Sequence, residues 1–186
     1  MVKELNVSKE IKVDDNIRLV LADESYKDAY YNIKASLDGV AKMLEFEEYR
    51  TVLWEECETF AMYMIELDDQ PIGIVVLKDF NESIEIGCDV HSDFQNKGIG
   101  QKAAKTVIDY LKNQFPDFDL YFRAYNDNLR SLHIIKKLGG VFVENEPSDV
   151  EKAKPVLLEF LTTNGMDIPE GFDEPDEQFI EVYKFV

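Results

Sequence analysis

Cysteine and histidine are scarce in this chain: two of each occur among 186 residues. Cys57 and Cys88 are too few for a disulfide framework, and His91 and His133 stand apart from any ligand set, so reduced thiols and no metal are expected. Long apolar runs are missing as well. Nothing approaches the roughly 20 apolar residues of a membrane span, and the opening stretch, MVKELNVSKEIKVDDN, lacks the apolar centre of a signal peptide. The expectation is a cytoplasmic protein with no membrane partner, in which the glycosylation-like triplets at Asn6 and Asn81 carry no meaning. Positive charge is in deficit: 20 Lys and Arg against 38 Asp and Glu leave a formal net charge of -18. Such a surface repels nucleic-acid phosphates and anionic lipids. No nucleic-acid partner is therefore expected, and cationic partners such as amines or basic peptides are favoured.

Apolar material, by contrast, is plentiful. Hydrophobic residues make up 45% of the chain, with 12 Phe and 9 Tyr, which argues against disorder despite the charge. The length suits a single domain spanning 1–186. Charge is spread unevenly along it. Residues 1–94 carry 9 basic and 22 acidic side chains and residues 141–186 carry 3 and 12, whereas residues 95–140 reverse the balance with 8 and 4. Chance clustering on a solvated face explains the reversal as well as a site for a polyanionic ligand does.

Residues 16–21 alternate apolar side chains at Ile17, Leu19 and Leu21, the pattern of a half-buried strand, and Asp23 can then cap a helix. Tyr26, Tyr30, Ile33 and Leu37 recur at helical spacing, and Phe46, Tyr49, Leu53 and Cys57 repeat it beyond Gly39, which predicts two amphipathic helices. Apolar runs at 60–67, 72–77 and 84–90, separated by turn signals, predict an antiparallel meander. Helices are predicted over 100–111 and from Asn128 to Gly139-Gly140, with a strand at 120–124 between them and a short strand at 141–144. Residues 145–177 are acidic, contain Pro147, Pro155, Pro169 and Pro175, and read as a variable excursion holding one helix near 150–161. The strand-like 178–185 then pairs with 141–144 across that excursion. Strands joined first by hairpins and later by a helix predict an α/β (α+β) fold, with a mixed, mostly antiparallel central sheet flanked by helices.

Residues 84–111, IEIGCDVHSDFQNKGIGQKAAKTVIDYL, place a strand, a polar loop with two glycines and an amphipathic helix in succession. A helix N-terminus presents unpaired amides and a partial positive charge, Gly98 and Gly100 remove side chains from the approach, and Lys97 adds a full charge. The segment therefore suits a phosphate-bearing ligand. The stretch from Gly98 to Ala103 formally fits the dinucleotide pattern G-x-G-x-x-G/A, but about seven residues separate Gly98 from the strand end at Val90, and no acidic residue ends the following strand. The triphosphate loop G-x-x-x-x-G-K-[ST] is absent.

Gln95-Asn96-Lys97-Gly98-Ile99-Gly100 matches the Q/R-x-x-G-x-G/A pyrophosphate loop of the GNAT N-acetyltransferases, in that family's order of strand, loop and helix. The longer string IEIGCDVHSDFQNKGIG resembles the branch that includes the ribosomal-protein alpha-N-acetyltransferases, and Asn128 to Ser131 with Lys137 to Gly139 resembles its N-x-x-S/A…K-x-G helix motif. Outside 145–177 the whole chain follows the pattern. The resemblance implies the GNAT acyl-CoA N-acyltransferase fold and transfer of an acetyl group from acetyl-CoA, a co-substrate, to a primary amine by direct attack in a ternary complex. It also implies that the amides of Gln95, Asn96, Lys97, Gly98, Ile99 and Gly100 hold the pyrophosphate. The backbone at Cys88 and Val90 then pairs with the pantetheine arm as an added strand would, and Asn128 contacts that arm. A peptide N-terminus or a small cationic amine is the expected acceptor, and a homodimer is compatible with this reading.

An attacking ammonium must lose a proton, so a carboxylate or a relayed water is needed within reach. Glu85 and Asp89 lie four apart on one predicted strand and share a face by the period-two rule. Glu85 is the expected base, with a structural or substrate-attracting role as the alternative, and Asp89 ranks behind it. The departing thiolate needs a donor. Many family members have a tyrosine seven residues after the motif asparagine, where this chain has Ile135, so Ser131 is the expected donor or else a small residue for close helix packing. Ser92, Asn96 and Gly140 also stand where Pro, Gly and an aromatic are usual. Cys88, buried beside Asp89, should have a raised pKa and act as a core residue rather than a nucleophile. The missing tyrosine and the acidic excursion support one alternative, a catalytically degenerate acetyl-CoA-binding sensor or interaction module.

Overall fold

The computed structural model describes residues 7–37, 43–45, 47, 50–51, 53–54, 61–80, 83–169, 171–172 and 174–186. Its strands are β1 (Glu10–Lys12), β2 (Ile17–Leu21), β3 (Ala61–Leu67), β4 (Gln70–Phe80), β5 (Ser83–Val90), β6 (Asp119–Tyr125), β7 (Val141–Pro147) and β8 (Phe179–Phe185). Its helices are α1 (Lys27–Ala35), α2 (Ile99–Gln114), α3 (Leu129–Lys137) and α4 (Asp149–Thr163). The chain divides into two compact units, Met1–Tyr121 with Phe185–Val186, and Phe122–Lys184. The fold is mixed α/β with a mostly antiparallel sheet, as the patterning predicts.

In the first unit β1 to β5 pair in chain order, each antiparallel to the next, and β5 pairs in parallel with the start of β6 from Ser83↔Asp119 to Glu85↔Tyr121. The predicted meander is β3, β4 and β5. Asp68 and Asp69 close its first hairpin at φ 50° and 66°, two left-handed residues whose twist matches the flanking strands and which aspartate tolerates. Strand β1 was not visible in the pattern, because three residues with one apolar side chain, Ile11, show no period. Tyr30, Tyr31 and Ile33 of α1 bury against Met62 and Met64 of β3 and Ile74 of β4, with Leu44 and Trp54 in the same cluster. Of the second helix expected before β3, Leu53 and Trp54 are helical, while Phe46, Tyr49 and Cys57 lie outside the described residues. Ala103, Ala104, Val107, Ile108 and Leu111 form the buried stripe of α2, which packs on β5 and β4. Among the described residues of this unit one charge is buried. Glu66 is 4% exposed and accepts from Arg18 Nε and the Tyr26 hydroxyl, both at 2.7 Å.

In the second unit α3 starts at Asn128 and ends in a Schellman motif. Gly140 N–H donates to Ile135 O and Gly139 N–H to Lys136 O, with Gly139 at φ 91°. Strand β7 pairs antiparallel with β8 from Val141↔Lys184 to Pro147↔Phe179, with an irregularity between Phe142 and Glu144. The two ends of the acidic excursion therefore meet as expected, and β7 extends three residues into it. Ser148 caps α4: its fully buried hydroxyl donates to Asp176 Oδ2 (2.5 Å) and accepts from Glu151 N–H (3.1 Å). Among the described residues no helix is long and apolar enough to cross a membrane.

Candidate functional site

Strand β5 follows β4 as far as Gly73↔Val90, while its ladder with β6 in the first unit covers Ser83 to Glu85. Beyond that ladder the direction of the backbone can be traced from its end. His91 N–H donates to Ile72 O at 2.9 Å, toward β4. Backbone groups of successive strand residues point to alternate edges, so Val90 and Cys88 turn theirs away from β4. Gln95 Nε2 donates to the Val90 carbonyl at 2.8 Å, on that same outer edge. The backbone positions named for the pantetheine arm thus lie on the edge of β5 that β4 does not use, and the Gln95 side chain braces the last of them.

After β5 the chain makes a single 3-10 turn, Ser92–Phe94, capped where His91 Nδ1 accepts from Asp93 N–H at 3.3 Å. Asn96 then enters left-handed backbone at φ 62° and Gly98 does so at φ 76°. Asparagine is the side-chain-bearing residue that tolerates this region best, which explains how it replaces the family's usual glycine at 96. Gly98 is the N-cap of α2. It contributes no capping side chain, and no acidic residue occupies the first turn. The leading amides of α2 are therefore left to solvent or to an anion, at the positive end of a 16-residue helix.

The two glycines have different reasons. A Cβ at Gly98 would meet nothing within 4 Å, so that position is required by backbone angle and leaves open space above the helix end. A Cβ at Gly100 would stand 3.1 Å from Val90 Cγ2 and 3.7 Å from Cys88 Sγ, so that glycine lets the first turn of α2 lie against β5. Burial and the neighbouring Asp89 push the Cys88 thiol up to about 12, as expected, which makes it a poor nucleophile, but the residue is half-buried and not part of the core that the sequence suggested.

The positive segment at 95–140 looks different in three dimensions. In the first unit Lys102 pairs with Asp14 at 2.7 Å and Lys105 with Asp109 at 2.6 Å. In the second, Arg123 pairs with Glu146 at 2.9 Å and Lys136 lies 3.9 Å from Glu181. Lys97 donates to the Asp93 carbonyl at 2.9 Å and sits 5.0 Å over the Phe94 ring. Lys102, Arg123 and Lys136 therefore face carboxylates from outside the segment, while Lys97 lies beside the N-terminus of α2.

The opposite face of β5 carries the carboxylates. Glu85 stands directly across from Lys78 of β4 and from Tyr121 of β6. Asp89 pairs with Lys34 of α1 at 2.6 Å, and Lys34 Nζ lies 5.8 Å over the Tyr30 ring. Residues 34 and 89 are too far apart in sequence for any local signal to have joined them. In the second unit Asn128 is the N-cap of α3, and its side-chain oxygen accepts from Ser131 N–H at 3.1 Å. This use of Asn128 was available from the capping rule, since Asn precedes a buried stripe with Leu132 and Ile135.

Known proteins share this architecture. A spermidine N(1)-acetyltransferase of Escherichia coli is 29% identical over 80 residues, 41% of this chain and 43% of that one, so the match spans less than half of the relative's length. A ribosomal-protein alpha-N-acetyltransferase in complex with coenzyme A has the same fold, with a TM-score of 0.67 at 17% identity over 95% of this chain and 97% of the other. A microcin self-immunity acetyltransferase in complex with acetyl-CoA and AMP gives 0.65 at 16% identity over 97% of each chain. The family model described as an acetyltransferase (GNAT) domain matches residues 10–141, well over half the sequence. With strand, glycine-containing loop and helix in that order, the chain belongs to the GNAT acetyltransferase domain family.

Proposed function

We propose that this protein is an N-acetyltransferase that moves an acetyl group from acetyl-CoA to a primary amine, either a peptide N-terminus or a small cationic amine. The observation that carries this reading is the N-terminus of α2, where left-handed Gly98 provides no cap and no acidic side chain competes for the amides. A pyrophosphate fits such an end in charge and in hydrogen-bonding sense. Acetyl-CoA supplies an activated thioester, and direct attack by the amine nitrogen in a ternary complex yields the amide and the free thiol.

This chain's residues then divide the work. The amides of Gln95, Asn96, Lys97, Gly98, Ile99 and Gly100 bind the phosphates, and the outer edge of β5 at Cys88 and Val90 takes the pantetheine arm as a neighbouring strand. Asn128, whose side-chain oxygen serves as a cap, offers its NH2 group to the same arm. Glu85 accepts the proton of the attacking amine, and the Ser131 hydroxyl donates to the departing sulfur. Two supports favour a cationic acceptor: the net charge of -18, and a relative named for spermidine. A sensor that binds acetyl-CoA without turnover is the second reading, favoured by Ile135, which is 2% exposed where many family members place a tyrosine hydroxyl.

Thermal unfolding with and without acetyl-CoA tests the core of this proposal. Ligand at 100 times its dissociation constant adds about 2.7 kcal/mol to the wild type, and Gly98→Glu, which sets a carboxylate at the helix end, abolishes that gain. An unchanged unfolding temperature of the wild type at millimolar acetyl-CoA rules the reading out. Thiol release with any member of an amine panel then decides for the enzyme over the sensor, and Glu85→Gln and Ser131→Ala lower that rate.

A further inference from the structure

The last turn of α1 reaches the segment that leads into the anion loop at two points. Lys34 Nζ holds Asp89 Oδ2 at 2.6 Å, and both side chains are partly sheltered, at 20% and 36% exposure. Two residues further on, the Ser36 hydroxyl accepts from Ser92 N–H at 3.1 Å while donating to Ile33 O at 2.7 Å. Ser36 is the C-cap of α1, and Ser92 opens the 3-10 turn that precedes Gln95. The buried face of α1 fixes that helix on β3 and β4, because Tyr30, Tyr31 and Ile33 sit in the core cluster. The connection from β5 to α2 is also held by His91 N–H on Ile72 O and by local bonds.

We infer that Lys34 and Ser36 are positioning residues for the coenzyme: by anchoring Asp89 and Ser92 to α1, they set the approach angle of the loop whose amides bind pyrophosphate. The inference rests on the acetyl-CoA reading proposed for the loop and adds to it residues from an element outside the loop motif. It also assigns Asp89, the second carboxylate on the Glu85 face, to a clamp instead of to proton transfer.

Calorimetric titration with acetyl-CoA tests the clamp in the full chain. Ser36→Ala raises the dissociation constant about threefold and the Lys34→Met/Ser36→Ala pair about tenfold, as expected for loss of one hydrogen bond and then of a charge-assisted one. Ser36→Thr and Lys34→Arg, which keep the hydroxyl and the cation, restore most of the affinity. Hydrogen exchange at the Ser92 amide speeds up in Ser36→Ala. Ser8→Ala removes a comparable hydroxyl elsewhere in the same unit, where Tyr110 donates to Ser8 Oγ at 3.2 Å, and leaves the dissociation constant unchanged. Wild-type affinity in both Ser36→Ala and the double variant, with normal binding by the wild type, overturns the clamp alone. Absence of binding by the wild type overturns the acetyl-CoA reading and the clamp together.

Discussion

Tyr26 shows how one side chain ties stability to pH. Its hydroxyl donates to Glu66 Oε1 at 2.7 Å, and burial, together with that bond to a carboxylate, raises its pKa from 10.0 to about 12. The folded state then holds a proton that the unfolded chain has lost, so the contribution is fully present below about pH 10 and disappears as pH rises toward 12. Stability measured by urea unfolding is expected to fall between those values, and Tyr26→Phe should make the fall shallower. Cys88 and Tyr63 add to it with the same sign, since burial raises both. An equally steep fall in Tyr26→Phe would assign the effect to Cys88, Tyr63 and the other tyrosines that burial raises, Tyr125 and Tyr183. At Gly98 the argument is conformational: φ 76° costs any side chain about 1 kcal/mol in the left-handed region. The sequence read Gly98 as clearing space for a phosphate and Asn96 as a departure from the usual glycine; the left-handed backbone at both positions came from the structure. The pairing of Glu66 with Arg18 and Tyr26 was not legible in the sequence, because its partners come from β2 and from the turn before α1.

Helix α3 has a terminus with one observed task and one proposed for it. Asn128 caps it through Oδ1 and keeps its NH2 group for the proposed contact with the pantetheine arm. The two can be separated. Asn128→Ala should cost about 1 kcal/mol of stability through the lost cap and also weaken acetyl-CoA binding. Asn128→Asp keeps the capping acceptor and loses the donor, so its unfolding temperature stays near wild type while KM for acetyl-CoA rises. Matching KM values for Asn128→Asp and wild type would remove Asn128 from the site. At this scale the sequence was informative wherever period or punctuation was strong: the meander, the stripe of α2 and the Gly139-Gly140 stop all appear where the pattern places them. Short β1 and the extension of β7 through Pro147 escaped it. Their hydrogen bonds are supplied by β2 and β8, not by local preference.

For the molecule as a whole the dominant feature is a net charge of -18, and several of the few cations, Lys102, Lys105 and Arg123 among them, are paired locally with carboxylates. A field of that sign concentrates cationic acceptors and is screened by salt, with a Debye length that shrinks from about 30 Å at 0.01 M to about 8 Å at 0.15 M. For a polyamine acceptor kcat/KM should fall as ionic strength rises, and it should hold nearly constant for an acceptor of no net charge. Equal salt dependence for the two would show that long-range charge takes no part in acceptor choice.

Three things were readable from the chain in one dimension: the class of fold, the order of strand, loop and helix around Gln95 to Gly100, and the acidic balance of charge. Those properties reside in residue type and in periods of two or about four residues, which are local and survive in one dimension. Tertiary structure alone decided that Gly100 serves the packing of α2 on Val90 and Cys88, that Asp89 is held by Lys34, and that Ser92 leans on Ser36. Each of these depends on atoms from segments far apart in the chain being brought within about 4 Å. Burial of the apolar faces of α1 and α2 against the sheet achieves that, and no local pattern records it.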